Sequence, residues 1–107
     1  MNIITNDTEL LTHAETGLRN VIDPEIGLNV VDLGLIYQVD FDPDFKRVYC
    51  TMTLTTRFCP MGESIQAGVA NALQQSFPEY EVSLELIYDP PWNAGRISDK
   101  GKEFLNQ

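Results

Sequence analysis

Cys50, Cys59 and His13 are the only thiols and imidazole in the chain. A structural zinc site or an iron–sulfur cluster normally takes four ligands, so sulfur and imidazole from one copy cannot complete either. Of the three, Cys59 has the most to offer. Before it, Val48-Tyr49-Cys50-Thr51-Met52-Thr53-Leu54-Thr55 alternates apolar and polar residues, the period of a half-buried strand. After it, Met61, Ile65, Val69, Ala72, Leu73 and Phe77 recur at spacings of three and four, as on an amphipathic helix. A strand is thus predicted to turn into a helix within about four residues, with Cys59 at the turn. Pro60 suits the first helical position, which makes Cys59 the expected N-cap. There the unpaired N–H groups of the first turn would favour a thiolate and hold its pKa below about 8.5. Arg57 can add a cation, while the hydroxyls of Thr55 and Thr56 could bond a thiolate or a cysteine-bound group. The competing readings are a small cysteine that only packs and threonines that only serve the strand.

Those side chains need a scaffold, and the remaining sequence supplies one. Asn6 and Glu9 have capping-box spacing ahead of Leu10, Leu11, Ala14, Leu18 and Val21, so residues 7–21 are expected to form a helix. Asp23-Pro24 ends it. Residues 23–34 hold no single period and read as a loop with one helical turn, in which Asp23, Glu25 and Asp32 are surface acids. Leu35 to Phe41 alternates as a strand and residues 42–46 form a turn. A second strand at about residues 47–55 completes an antiparallel hairpin. On that strand Thr51, Thr53 and Thr55 should face away from Cys50, Met52 and Leu54, which makes Cys50 a core residue. The second helix runs over residues 60–76, and Val82, Leu84, Leu86 and Tyr88 mark a third strand. Pro90-Pro91 excludes a central strand thereafter. Trp92 is then a rigid aromatic, suited to packing over the core or to meeting a partner. Ser98 should cap a short last helix. The order α-β-β-α-β-α predicts one α+β domain over residues 1–107, with a three-stranded mixed sheet and helices packed on it.

Composition narrows the function classes. With 107 residues, 43% hydrophobic and 21% charged, the chain suits a single globular domain. Its net charge of −9 is uneven: residues 1–45 carry −8 and residues 46–107 carry −1. Such acidity repels phosphate backbones and anionic headgroups, so neither nucleic acid nor a membrane is expected as partner. No apolar run approaches a membrane span, and the first residues lack a signal peptide's basic start. Cys50 and Cys59 lie roughly 25 Å apart along an extended path, too far to bridge. Free thiols suit a cytoplasmic setting.

Four stretches then fall into a known pattern: Asp23-Pro24-Glu25-Ile26-Gly27; Val30 to Tyr37; Met52 to Thr56 with Cys59-Pro60; and Asp89-Pro90-Pro91-Trp92 followed by Ile97-Ser98. In this order they resemble the MIP18 family, formerly DUF59, which includes SufT-type proteins and the N-terminal part of the PaaD proteins. The resemblance covers about residues 7–105 and implies an iron–sulfur-cluster-assembly-like fold. It also implies a non-enzymatic accessory role in iron–sulfur protein maturation, with assembly machinery and client apoproteins as partners. The family's polar cluster falls on Asp23, Glu25, Thr55, Thr56 and Cys59; separately from the resemblance, Asp32, Arg57 and Trp92 are expected to offer a partner surface. Two departures stand out: Arg57 replaces a common proline, and the chain lacks the cysteine-rich extension of PaaD proteins, which favours the SufT-like type. Cys59 would be a transient iron–sulfur ligand, because one copy cannot hold a cluster stably. Two copies could share one as a homodimer. The alternatives are a protein-interaction module with a structural Cys59, or an enzyme using Cys59 as nucleophile. The last lacks a base, since His13 sits on the first helix, and a carboxylate such as Asp23 would raise the thiol pKa.

Overall fold

The alternation in the central hairpin becomes a buried sheet face. β2 (Ile36–Asp42) and β3 (Arg47–Met52) pair antiparallel, with Val39 opposite Cys50 and Phe41 opposite Val48. All four side chains are buried. The computed structural model describes residues 3–57 and 60–106. α3 (Gly62–Ser76) carries the chain across that face to β4 (Glu81–Leu86), which runs parallel to β3 with Leu84 beside Cys50.

The sheet has four strands, in the order β1-β2-β3-β4, rather than the three expected. β1 is Ile4–Thr5, parallel to β2 at Gln38 and Val39. Two residues are too few to display a period of two, so the pattern along the chain gave no sign of it. Asn6 continues this edge with its side chain: its Nδ2 donates to the Phe41 carbonyl at 2.8 Å, and its Oδ1 accepts from the Phe41 N–H at 2.9 Å. Asn6 is therefore not a helix cap. That position belongs to Asp7, whose carboxylate accepts from the Leu10 N–H at 3.1 Å and opens α1 (Thr8–Leu18). Both residue types cap helices well, so composition alone could not separate them.

α1 and α3 cover one face of the sheet. Leu11, Ala14 and Leu18 from α1 and Ile65, Val69 and Leu73 from α3 join the core with Val39, Phe41, Val48 and Cys50. Phe77 closes the far end, its ring edge-on to His13 and to Phe41 at 5.2 Å each. A one-turn helix, α2 (Val30–Leu33), sits in the 23–34 connection as expected, and Ser98 caps α4 (Asp99–Leu105).

Two local expectations fail beside the hairpin. β3 ends at Met52, and Thr53 is buried, with its N–H bonded to the Leu35 carbonyl at 2.9 Å. Thr51, Thr53 and Thr55 therefore do not share one outward face. α3 begins at Gly62 with Met61 in the N-cap position and no side-chain cap, so Pro60 is not the first helical residue; Cys59, the expected cap, lies outside the described residues. Proline fits a turn as well as a first helical position, which is why Pro60 alone placed the boundary too early.

Candidate functional site

The Asp23-Pro24-Glu25 loop is organised by Asp23. Its backbone N–H donates to the Leu28 carbonyl at 3.0 Å, and its own carbonyl accepts from Ile26 and Gly27. Its Oδ1 accepts from the Glu25 N–H at 2.9 Å, the local side-chain-to-backbone turn that aspartate favours. Outside this turn, the Val30 N–H donates to the Val21 carbonyl and Ile22 bridges Asn29, so the loop is a closed, braced excursion. Asp23 is only 1% exposed, which corrects its expected place among the surface acids. Glu25 does point to solvent.

Asp32 is also buried rather than superficial, and it builds structure instead of a partner surface. Its carboxylate accepts from Asn29 Nδ2 at 2.7 Å and from Ser98 Oγ at 2.8 Å. Asn29 Oδ1 caps α2 through the Asp32 N–H, and Ser98 Oγ caps α4 through the Gly101 N–H. One carboxylate thus orients two helix caps. Burial works to raise its pKa, but the Asn29 and Ser98 bonds, with the charges of Arg19 and Lys100, outweigh it and hold it below 3.8. Trp92 is half-buried, packed on the core, and its indole N–H donates to the Leu33 carbonyl at 2.7 Å. Its anchoring role is the packing alternative.

Thr55 is half-buried, while Thr56 and Arg57 are exposed, and the Arg57 guanidinium lies 4.6 Å from the centre of the Tyr88 ring. Cys59 lies outside the described residues, as does Phe58. A cleft of about 250 Å³ lies between two sequence-distant segments: Val21, Ile22 and Pro24 form one wall, and Met61, Ser64 and Ile65 the other. Loop 23–25 and the start of α3 therefore stand at the same end of the molecule. Ile22, Pro24, Met61 and Ser64 are the exposed residues of this cleft, and local sequence pattern marks none of them as a surface feature. Met61 falls in register with the apolar face of the helix, and no periodicity distinguishes an exposed apolar residue at its start.

The other soft ligands stand apart from this end. His13 Nε2 lies 3.0 Å from the Ser76 carbonyl, at the C-terminal end of α3. α3 has fifteen residues and so spans roughly 22 Å, which separates this imidazole from the turn that precedes the helix. Among the described residues, no three His, Cys, Asp or Glu side chains gather as a metal-binding group. No helix among them is long and apolar enough to cross a membrane.

Comparison with known proteins adds the family. A model described as iron–sulfur cluster assembly protein matches residues 12–84, well over half of the chain. The chain belongs to this family. A relative from Bacillus subtilis, named Fe-S protein maturation auxiliary factor YitW, is 36% identical over 82% of this chain and 85% of its own. One from Staphylococcus aureus, named Fe-S protein maturation auxiliary factor SufT, is 37% identical over 79% of this chain and 96% of its own. A crystal structure of a DUF59 domain from Bacillus anthracis superposes with a TM-score of 0.85 at 34% identity, covering 92% of this chain and 93% of that one. The SufT-like resemblance read from the four motifs holds.

Within the family fold, Cys50 is a core residue. It is 1% exposed, and burial in hydrocarbon pushes its thiol up from 9.0 to about 12. In the native protein at pH 8, iodoacetamide should leave Cys50 unmodified and should label it once urea unfolds the chain; peptide mapping by mass spectrometry reads this. Because the folded thiol stays protonated where the unfolded one ionises, its contribution to stability is complete below pH 9.0 and is lost as pH rises toward about 12.

Proposed function

We propose that this chain is a non-enzymatic accessory factor in iron–sulfur protein maturation, which helps a cluster pass to client apoproteins. Cys59 makes a transient bond to cluster iron, with Glu25, Thr55 and Thr56 as its polar surroundings and Asp23 fixing the loop that presents Glu25. The cluster is cargo. One copy offers a single usable thiolate, since Cys50 is locked in the core, so the remaining ligands come from the donor, the client or a second copy. Family membership supports the process, and the shared cleft between residues 21–24 and 61–65 is the observation that supports the site. The names of the Bacillus subtilis and Staphylococcus aureus relatives point the same way.

The test is anaerobic transfer from a cluster-loaded scaffold to an apo-[4Fe–4S] enzyme, followed by the return of client activity. The wild-type chain should accelerate activation, and Cys59→Ser should fall to the rate without the factor. Full acceleration by Cys59→Ala would make Cys59 structural and overturn the site. A stable, fully occupied cluster on monomeric Cys59→Ser after reconstitution with iron and sulfide would overturn the carrier chemistry as well.

A further inference from the structure

We propose that the free edge of β4, with the side chains of Tyr49, Thr51, Ser83 and Glu85 beside it, binds an extended segment of another protein in which apolar residues alternate with lysine or arginine. The segment adds as a fifth strand. This goes beyond the maturation reading and does not rest on it. β4 is the outermost strand of the sheet, and its six residues are enough to template another. The Glu81 N–H donates to the Lys46 carbonyl at 2.8 Å and the Ile87 N–H to the Met52 carbonyl at 2.9 Å. Alternate residues of a strand turn their backbone groups the same way, so 81, 83, 85 and 87 face β3 while Val82, Leu84 and Leu86 face out. Among the described residues, nothing bonds the outward N–H and C=O groups of these three. Their side chains are half-buried at the margin of the core, so an added strand would find main-chain partners and could extend the apolar cover.

The other face of the strand selects the partner's charge. Tyr49, Thr51, Ser83 and Glu85 alternate with core residues, share the face away from α1 and α3, and line a cleft of about 420 Å³. The register sets Tyr49 beside Ser83 and Thr51 beside Glu85. Glu85 is exposed and has no ion-pair partner among the described residues, whereas Glu81 is taken by Arg47 at 3.6 Å. A carboxylate, two hydroxyls and a phenol ring together suit an ammonium or guanidinium. The neighbouring charges leave Glu85 unanswered: Arg96 is held over Tyr37 on the β2 side of Thr51, and Asp40, opposite Tyr49, accepts only from the Gln38 amide. The same acids disfavour a second copy of this chain. With two β4 strands antiparallel and centred on Ser83, Leu84 or Glu85, Glu85 falls opposite or diagonal to a glutamate of that copy, which is destabilising.

The probe is a synthetic peptide in which valine alternates with lysine over seven residues, titrated into the full chain and followed by NMR. The amides of Val82, Leu84 and Leu86 should shift saturably and exchange more slowly. Those of Ser83 and Glu85, already bonded to β3, should gain little protection, and the Tyr49 ring signals should move. Glu85→Lys, with retained chemical-shift dispersion as the check on its fold, should weaken binding at least about tenfold. Replacing the peptide's backbone N–H groups by N-methyl should do the same. The proposal is overturned by no response up to about 1 mM peptide, by protection that does not alternate along β4, or by equal shifts from butylamine alone. Undiminished binding of the N-methylated peptide, or of one with glutamates in place of lysines, would overturn it as well. So would protection of Val82, Leu84 and Leu86 that grows with the concentration of the chain alone, which would assign the edge to a second copy. None of these outcomes touches the dependence of client activation on Cys59, so this surface and the maturation reading fail separately.

Discussion

Replacing Gly34 with alanine is expected to lower stability by about 3 kcal/mol and the Tm by roughly 15 °C. Gly34 ends α2 in the left-handed region, at φ 77° and ψ 29°, with its N–H on the Val30 and Val31 carbonyls. An alanine there would incur about 1–2 kcal/mol of backbone strain. The larger effect is a collision. A Cβ would overlap the Arg96 carbonyl oxygen and lie 2.8 Å from Arg96 Cβ and 3.0 Å from its carbonyl carbon. Backbone cannot swing aside as a flexible side chain can, so the Ala94–Arg96 turn must move. With it would go the bond from Arg96 Nε to the Gly34 carbonyl at 3.2 Å and the packing of Arg96 over the Tyr37 ring at 4.1 Å. Gly27→Ala is the control: its φ is also positive, at 83°, but nothing lies within 4 Å of the added Cβ, so only about 1 kcal/mol should be lost. Equal midpoints for the two variants in thermal or urea unfolding would refute the close approach of residue 96 to residue 34.

Asp32→Asn is expected to cost about 2 kcal/mol at neutral pH, because an amide cannot accept from both Asn29 and Ser98 as the carboxylate does. One of its two positions becomes a donor facing a donor. Ser98 Oγ cannot reorient freely, since it already accepts from the Gly101 N–H. Both α2 and α4 should fray, which amide exchange at Leu33 and Lys102 would report. The pH dependence has a definite sign. The folded-state pKa lies below the ordinary 3.8, so the carboxylate's contribution is present above that value and is lost as pH falls through the folded one. The gap in urea midpoint between wild type and Asp32→Asn should therefore narrow in acid. A gap unchanged between pH 7 and the acid limb would mean that the ionised carboxylate does not hold these caps.

Asp23 and Asp32 also show where reading the chain alone stops. Both are acids in a polar, irregular stretch, and solvent exposure is the ordinary fate of such residues. Both are buried because neighbouring N–H, amide and hydroxyl groups converge on them, and Ser98 arrives from a segment sixty-six residues away. Trp92 is similar: the indole announces a hydrogen bond, but the Leu33 carbonyl that receives it is fifty-nine residues distant. At the proposed site, the acids, threonines and Cys59 were legible as residue types. The nearness of the start of α3 to the 21–24 segment was not, since it depends on α3 returning across the sheet and bringing Met61 to Ile22 and Pro24.

The sequence by itself determined the hairpin, the long amphipathic helix, the burial of Cys50 and membership in the family. Each follows from periodicity, or from a string of residues short enough to read in one piece. Tertiary structure alone decided the fourth strand, the true start of α3, the inward turn of Asp23 and Asp32 and the cleft between residues 21–24 and 61–65. Those features arise from contacts between distant segments, and a local pattern carries no record of which distant group will satisfy a donor, an acceptor or an exposed methyl.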